Sequence, residues 1–110
     1  MNNMLEYKGC LGSVEYSAAD EVFFGRVLGI TDRITYDGDS VQSLKNDFEE
    51  AIDDYIESCA ELGKEPEKSY RGDLDIHVAP ELHRKLIIFS NYHNQPIDKT
   101  VEEALYQYVM

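Results

Sequence analysis

Residues 72–83, GDLDIHVAPELH, set Asp73, Asp75 and His77 in alternation with Leu74, Ile76 and Val78. A period of two is the signature of a strand, with the polar and aliphatic sets on opposite faces. Pro80 sits where a helix would start. A short strand running into a helix is an arrangement that some DNA readers place in the major groove. The outward chemistry is unusual for that task. Two aspartates repel phosphates, and a carboxylate reads a base only by accepting from a cytosine amino group. His77 can donate to a base or phosphate, more readily when protonated.

The other reactive residues form weaker patterns. Asp37 and Asp39 flank Gly38 in a turn, but the spacing of a calcium loop is missing and a capped turn is the expected structure. His77, His83 and His93 make no metal-ligand pattern with nearby Cys or Glu, and His83 reads as a helix-surface or capping group. Neither a G-x-S-x-G elbow nor a phosphate-binding loop occurs. No catalytic residue, metal ligand or cofactor is therefore expected. Cys10 and Cys59 are too few for a disulfide framework and read as reduced thiols of a cytoplasmic protein.

Charge narrows the classes further. The chain has 110 residues, a net charge of −12 and 43 % hydrophobic residues. Residues 1–70 hold 16 acidic and 6 basic side chains, and residues 71–110 hold 6 and 4. So strongly acidic a front disfavours general nucleic-acid affinity and suits a basic partner. No apolar run is long enough for a membrane span, and MNNMLEYKGC lacks the basic-then-apolar pattern of a secretory signal.

The elements that must position these groups follow from periodicity. CLGSVEYS, EVFFGRVLGI and DRITYDGDS read as three short strands of an antiparallel meander, with SAAD as a hairpin connection and Asp37-Gly38 as a turn. Then Val41, Leu44, Phe48, Ala51, Ile52, Tyr55, Cys59 and Leu62 recur every three or four residues, one stripe of a helix of about six turns. Ser40 is its expected N-cap and Gly63 its stop. The opposite face carries Asp47, Glu49, Glu50, Asp53, Asp54, Glu57 and Glu61; of these, Glu50, Asp53, Asp54 and Glu57 are candidates for docking a cationic partner. Residues 64–72 read as a linker. After it come the strand around Leu74–Val78, a helix from Pro80 with Leu82, Leu86 and Phe89 toward a core, and a helix from about Pro96 with Ile97, Val101, Ala104, Leu105 and Tyr108 at helical spacing.

A segment of about 40 residues with one strand and two helices buries too little surface to fold alone. Two copies solve this. Their strands pair antiparallel across a two-fold axis and four helices close around them, as in a ribbon-helix-helix dimer. Leu74, Ile76, Val78, Leu86, Val101 and Leu105 then form the dimer core. Arg71, Asp73, Asp75, His77 and Lys99 are left as candidate DNA contacts. The competing reading adds this strand to the front sheet.

The chain resembles the longer form of the HicB family of type II antitoxins over almost its whole length, from Tyr7 to about Val109. The blocks that carry the resemblance are YKGCLGSVEYSAADEVFFGRVLGI, DGDSVQSL, FEEAIDDYIESCAELGKEP, APELHRKL and VEEAL. It implies an α+β fold in three parts: an incomplete RNase H-like lobe (1–63), a linker (64–72) and a ribbon-helix-helix segment (73–110). It also implies a function. Such proteins neutralise HicA, a small basic toxin that cleaves messenger RNA and has a double-stranded-RNA-binding fold, and cover its catalytic histidine region. Their tail binds operator DNA and represses the shared operon. An acidic front lobe suits a partner that must bind RNA. The expected assembly is a homodimer, or a tetramer of two such dimers.

Two departures from the family pattern bear on DNA. An arginine is common where His77 stands. Where the family has Ser-Leu-Asn at the last helix, this chain has Pro96-Ile97-Asp98, which removes the serine cap, although Gln95 offers a substitute, and sets a carboxylate where a phosphate would sit. Lys99 is the nearby compensation. The tail is therefore expected to act mainly in dimerisation, with weak or narrow DNA specificity. The alternative is an acidic, dimeric interaction module that never touches DNA.

Overall fold

A computed structural model describes residues 3–110. The chain divides into two compact units, one ending at Asp73 and the other spanning Leu74–Met110.

The first unit is a five-stranded antiparallel sheet with one long helix: β1 (Leu5–Tyr7), β2 (Cys10–Gly12), β3 (Glu15–Ser17), β4 (Val22–Leu28), β5 (Thr35–Gly38) and α1 (Val41–Leu62). The expected meander is present, with two differences. A strand the periodicity did not show, β1, pairs with β2 through a tight turn in which Lys8 and Gly9 both take positive φ, 49° and 80°. The first expected strand is split into β2 and β3, which pair with β4 in one register, Gly12 opposite Val27 and Glu15 opposite Phe24.

Tyr36 explains the split. Between the two halves Ser13 N donates to Arg26 O, but Arg26 N donates to the Ser13 hydroxyl rather than to its carbonyl. The Ser13 carbonyl instead accepts the Tyr36 hydroxyl at 2.7 Å. The Tyr36 ring lies over two glycines to reach it. A Cβ on Gly12 would come within 2.2 Å of Tyr36 Oη and 2.6 Å of Phe48 Cε1, and one on Gly25 within 2.0 Å of Ser13 O. Only residues without a side chain admit that approach. Burial pushes the Tyr36 hydroxyl up to about 12, so it stays a donor.

Helix α1 closes the other side of this core. Ser40 and Ser43 form a reciprocal capping box, and Gly63 ends the helix in the left-handed conformation, φ 70°. The expected stripe packs on the sheet through Leu44, Phe48, Ile52, Tyr55 and Cys59, joined by Cys10, Val27 and Tyr36. Val41 and Leu62, at the two ends of the stripe, overhang the sheet and stay exposed. Both cysteines are free thiols inside this core.

Residues 67–70 belong to this unit through specific bonds. Glu67 N donates to Tyr55 Oη, and the Glu67 carboxylate accepts from Thr31 N and Thr31 Oγ1. Ser69 N donates to Gly9 O, and Ser69 Oγ accepts from Leu11 N. Tyr70 Oη donates to the Glu6 carboxylate.

The second unit is an extended segment followed by two helices, α2 (Pro80–Tyr92) and α3 (Ile97–Val109). Helix α2 opens on Pro80, as expected. The segment Leu74–Val78 differs from the expected strand: it makes no ladder in the single chain. Its backbone groups have no neighbouring strand to pair with, and an unpaired extended segment is not yet a sheet.

Candidate functional site

Two surfaces gather the candidate residues, one on each unit. On the first, α1 turns a row of carboxylates to solvent. Glu50, Asp54, Glu57 and Glu61 follow at steps of four, three and four, so they stack along one helical face. All four are exposed, and among the described residues none of their carboxylates takes part in an ion pair or side-chain hydrogen bond. The neighbouring acidic positions have structural work. Asp53, a docking candidate by sequence, accepts from Lys8 Nζ at 2.8 Å and from Tyr7 Oη at 3.1 Å, tying the β1–β2 turn to the helix. The hydrogen bond to Lys8 holds the Asp53 carboxyl below its ordinary range, and its mate raises Lys8. Asp47 accepts the backbone N–H of Asp37 at 2.9 Å. Asp39, in the turn with Asp37, accepts from Ser43 Oγ, the capped turn expected of it.

The helix face that includes Asp47 borders β5. Ala51, Asp54, Tyr55 and Ser58 on the helix, with Asp32, Arg33, Ile34 and Thr35 on the approach to β5, enclose an open groove of about 650 Å³. Sequence reasoning found the carboxylates but not this groove. Asp47, read from the sequence as part of the outward acidic face, instead bonds the β5 backbone at Asp37.

The second surface is aliphatic. In Leu74–Met110 the buried side chains are those of Ser90 and Thr100 alone. Ser90 Oγ donates to Thr100 Oγ1, and Gln95 Nε2 donates to the same oxygen, each at 2.7 Å. Gln95 is thereby committed to the hairpin and does not cap α3, which starts at Pro96 with no side-chain cap. Around that polar knot the apolar residues lie open. Leu74, Ile76 and Val78 are 79 %, 56 % and 41 % exposed. Ile76, Val78, Leu86, Val101 and Leu105 share the wall of one cleft of about 550 Å³. Five of the six expected dimer-core residues are thus brought together, and Leu74 is not among them.

The candidate DNA contacts are scattered by comparison. Arg71, Asp73, Asp75 and His77 are exposed along the extended segment, and Gly72, φ 87°, bends the chain between Arg71 and Asp73. His77 also borders the aliphatic cleft, as does His83. Lys99 is exposed in the first turn of α3, next to Asp98. His93 stacks on Phe89, with ring centres 4.0 Å apart, and its Nδ1 lies 2.9 Å from Phe89 O, a C-terminal closure for α2.

Among the described residues, no group of three or more His, Cys, Asp or Glu side chains is placed to hold a metal ion. Among the same residues no helix is long and apolar enough to cross a membrane.

The profile of the HicB family matches residues 55–105. That stretch runs from the last two turns of α1 through residues 67–70 and across the cleft of the second unit. No curated protein and no solved structure matches the chain.

Proposed function

From the premise that residues 55–105 are a segment of the HicB family of antitoxins, we propose that this chain is the antitoxin of a HicAB-type pair. The family supports an antitoxin role in general terms; the partner and assembly proposed here go beyond it. The front lobe binds and neutralises a HicA-like toxin, a small basic protein that cleaves messenger RNA. The exposed row Glu50, Asp54, Glu57 and Glu61 offers the complementary charge, which speeds encounter and selects the partner. Asp53 supports the fold of that surface from within it.

The tail acts as a ribbon-helix-helix homodimer. The observation that carries this is the absence of a buried aliphatic side chain in Leu74–Met110. A unit with a polar knot and an open aliphatic cleft gains its core by meeting a second copy. Pairing two Leu74–Val78 segments satisfies the unpaired backbone and places Leu74, Ile76 and Val78 against the helices of both protomers. Dimerisation is then the tail's first task. Operator contact rests on Arg71, His77 and Lys99, against the repulsion of Asp73, Asp75 and Asp98, so affinity for DNA is weak or narrow in sequence.

The test is co-expression with the small basic protein encoded beside this gene. A stoichiometric complex, with toxicity of the partner suppressed, is the expected result. No such neighbour, or no complex with it, overturns the antitoxin reading. Anisotropy with DNA from upstream of the gene, at two salt concentrations, tests the tail. Binding that weakens steeply with salt means that phosphate contacts survive the aspartates. No binding by a chain that is still dimeric leaves the ribbon as a device that joins two front lobes.

A further inference from the structure

The edge of β5 is unpaired over a short, defined length. Val27 N donates to Ile34 O, and Gly25 lies opposite Tyr36. In an antiparallel ladder the hydrogen-bonded positions alternate. Ile34 and Tyr36 therefore bond toward β4, while Arg33, Thr35 and Asp37 direct their N–H and C=O groups away from it. The Asp37 N–H is taken by the Asp47 carboxylate. This is the kind of blunting that proteins use on an edge they do not want extended. The cap stops at Asp37. Arg33 and Thr35 are exposed, and they open into the groove whose far wall is Ala51, Asp54 and Ser58 of α1. Of the exposed carboxylates of α1, Asp54 lines that groove, and Glu50 and Glu57 stand one turn away from it on the same helical face.

We propose that this groove is where the basic partner docks, by adding one of its own strands antiparallel or parallel to Arg33–Thr35. The inference rests on the antitoxin reading and deepens it by naming the contact surface. Main-chain bonds to Arg33 and Thr35 supply a short ladder, as in other complexes that extend a sheet. Lys or Arg side chains on the added strand reach the carboxylates of α1. Asp47 sets where the added strand must end. Among the described residues the edge of β3 is also unpaired, but it exposes a single carboxylate, Glu15, between Val14 and Tyr16, where the β5 edge faces a row of them on α1.

The test is amide hydrogen exchange on the full-length chain, alone and with the small basic protein encoded beside its gene. The Arg33 and Thr35 amides are expected to exchange at least about tenfold more slowly in the complex. Thr35→Pro removes the outward N–H at a position where an edge strand tolerates proline, and is expected to weaken the complex about tenfold. Asp54→Lys, which touches no structural bond, is expected to weaken it too, more at low salt than at high. A complex that forms with unchanged exchange at Arg33 and Thr35, or with protection at Val14 and Tyr16 instead, overturns the docking site and leaves the antitoxin reading standing. Failure of the unaltered chain to bind overturns both. Should Thr35→Pro unfold the lobe, the exchange experiment on the unaltered chain still decides.

Discussion

The tail is richer in leucine, isoleucine and valine than the front lobe, 11 of its 37 residues against 13 of the lobe's 73, yet it buries fewer of them. In the lobe Leu44, Phe48, Ile52 and Cys59 are all but sealed from water. In the tail Leu74, Ile76, Leu82, Ile87, Ile88 and Phe89 are each about half exposed or more. Helix ends tell the same story. Helix α1 has a reciprocal serine cap and a left-handed stop, while α2 and α3 begin with no side-chain cap at all. The lobe closes its own core. The tail carries one closed polar knot, Ser90–Thr100–Gln95, and leaves its aliphatic side chains exposed. The lesson is that a wealth of apolar residues does not by itself make a core within one chain.

The largest expected effect separates the two regions directly. Ile76→Asp would bury two carboxylates in the proposed ribbon, and light scattering should show a monomer where the unaltered chain is a dimer, with the lobe's near-ultraviolet spectrum unchanged. A dimer that survives this substitution would remove the ribbon reading. Phe48→Ala acts on the lobe instead. It should cost about 3–5 kcal/mol in denaturant unfolding, without altering the oligomeric state. Thr100→Val leaves Ser90 and Gln95 without their shared partner and should cost about 1–3 kcal/mol, visible as earlier melting of the tail. Ser40→Ala removes half of the capping box and should cost about 1 kcal/mol in the lobe, read as a lower denaturant midpoint.

Alkaline pH probes the same contrast through Tyr36. Burial, the largest cause, raises its hydroxyl from 10.0 to about 12 in the folded lobe. The folded state therefore holds this proton more tightly than the unfolded chain does. The stabilisation is fully present below pH 10 and is lost as pH rises from 10 toward 12. Unfolding followed at 295 nm should show the lobe weakening across that window, and Tyr36→Phe, which cannot ionise, should flatten the dependence.

Several features were legible before any fold was known, because each is encoded by residues close together in the chain. The span and inward stripe of α1 follow from apolar spacing, its start from Ser40 and its stop from Gly63. The start of α2 at Pro80 follows the same way. Periodicity also overreached where local rules were incomplete. It counted Val41 and Leu62 as inward, although both are exposed, and Gln95, expected from the family comparison to substitute for a missing serine cap, bonds Thr100 instead.

What only the tertiary structure decided are relations between residues far apart in sequence. Tyr36 reaches Ser13 across Gly12 and Gly25, which splits a strand that alternation alone would draw whole. Asp53 is tied to Lys8 and Asp47 to Asp37, while Asp54 and Glu57, of the same type and on the same helix, stay free. Residues 67–70 are bonded to Gly9, Leu11 and Thr31 rather than loose. The physical reason is common to all three. A carboxylate, a hydroxyl or a glycine carries no local sign of the group it will meet, because that partner arrives only when the sheet and α1 are packed together.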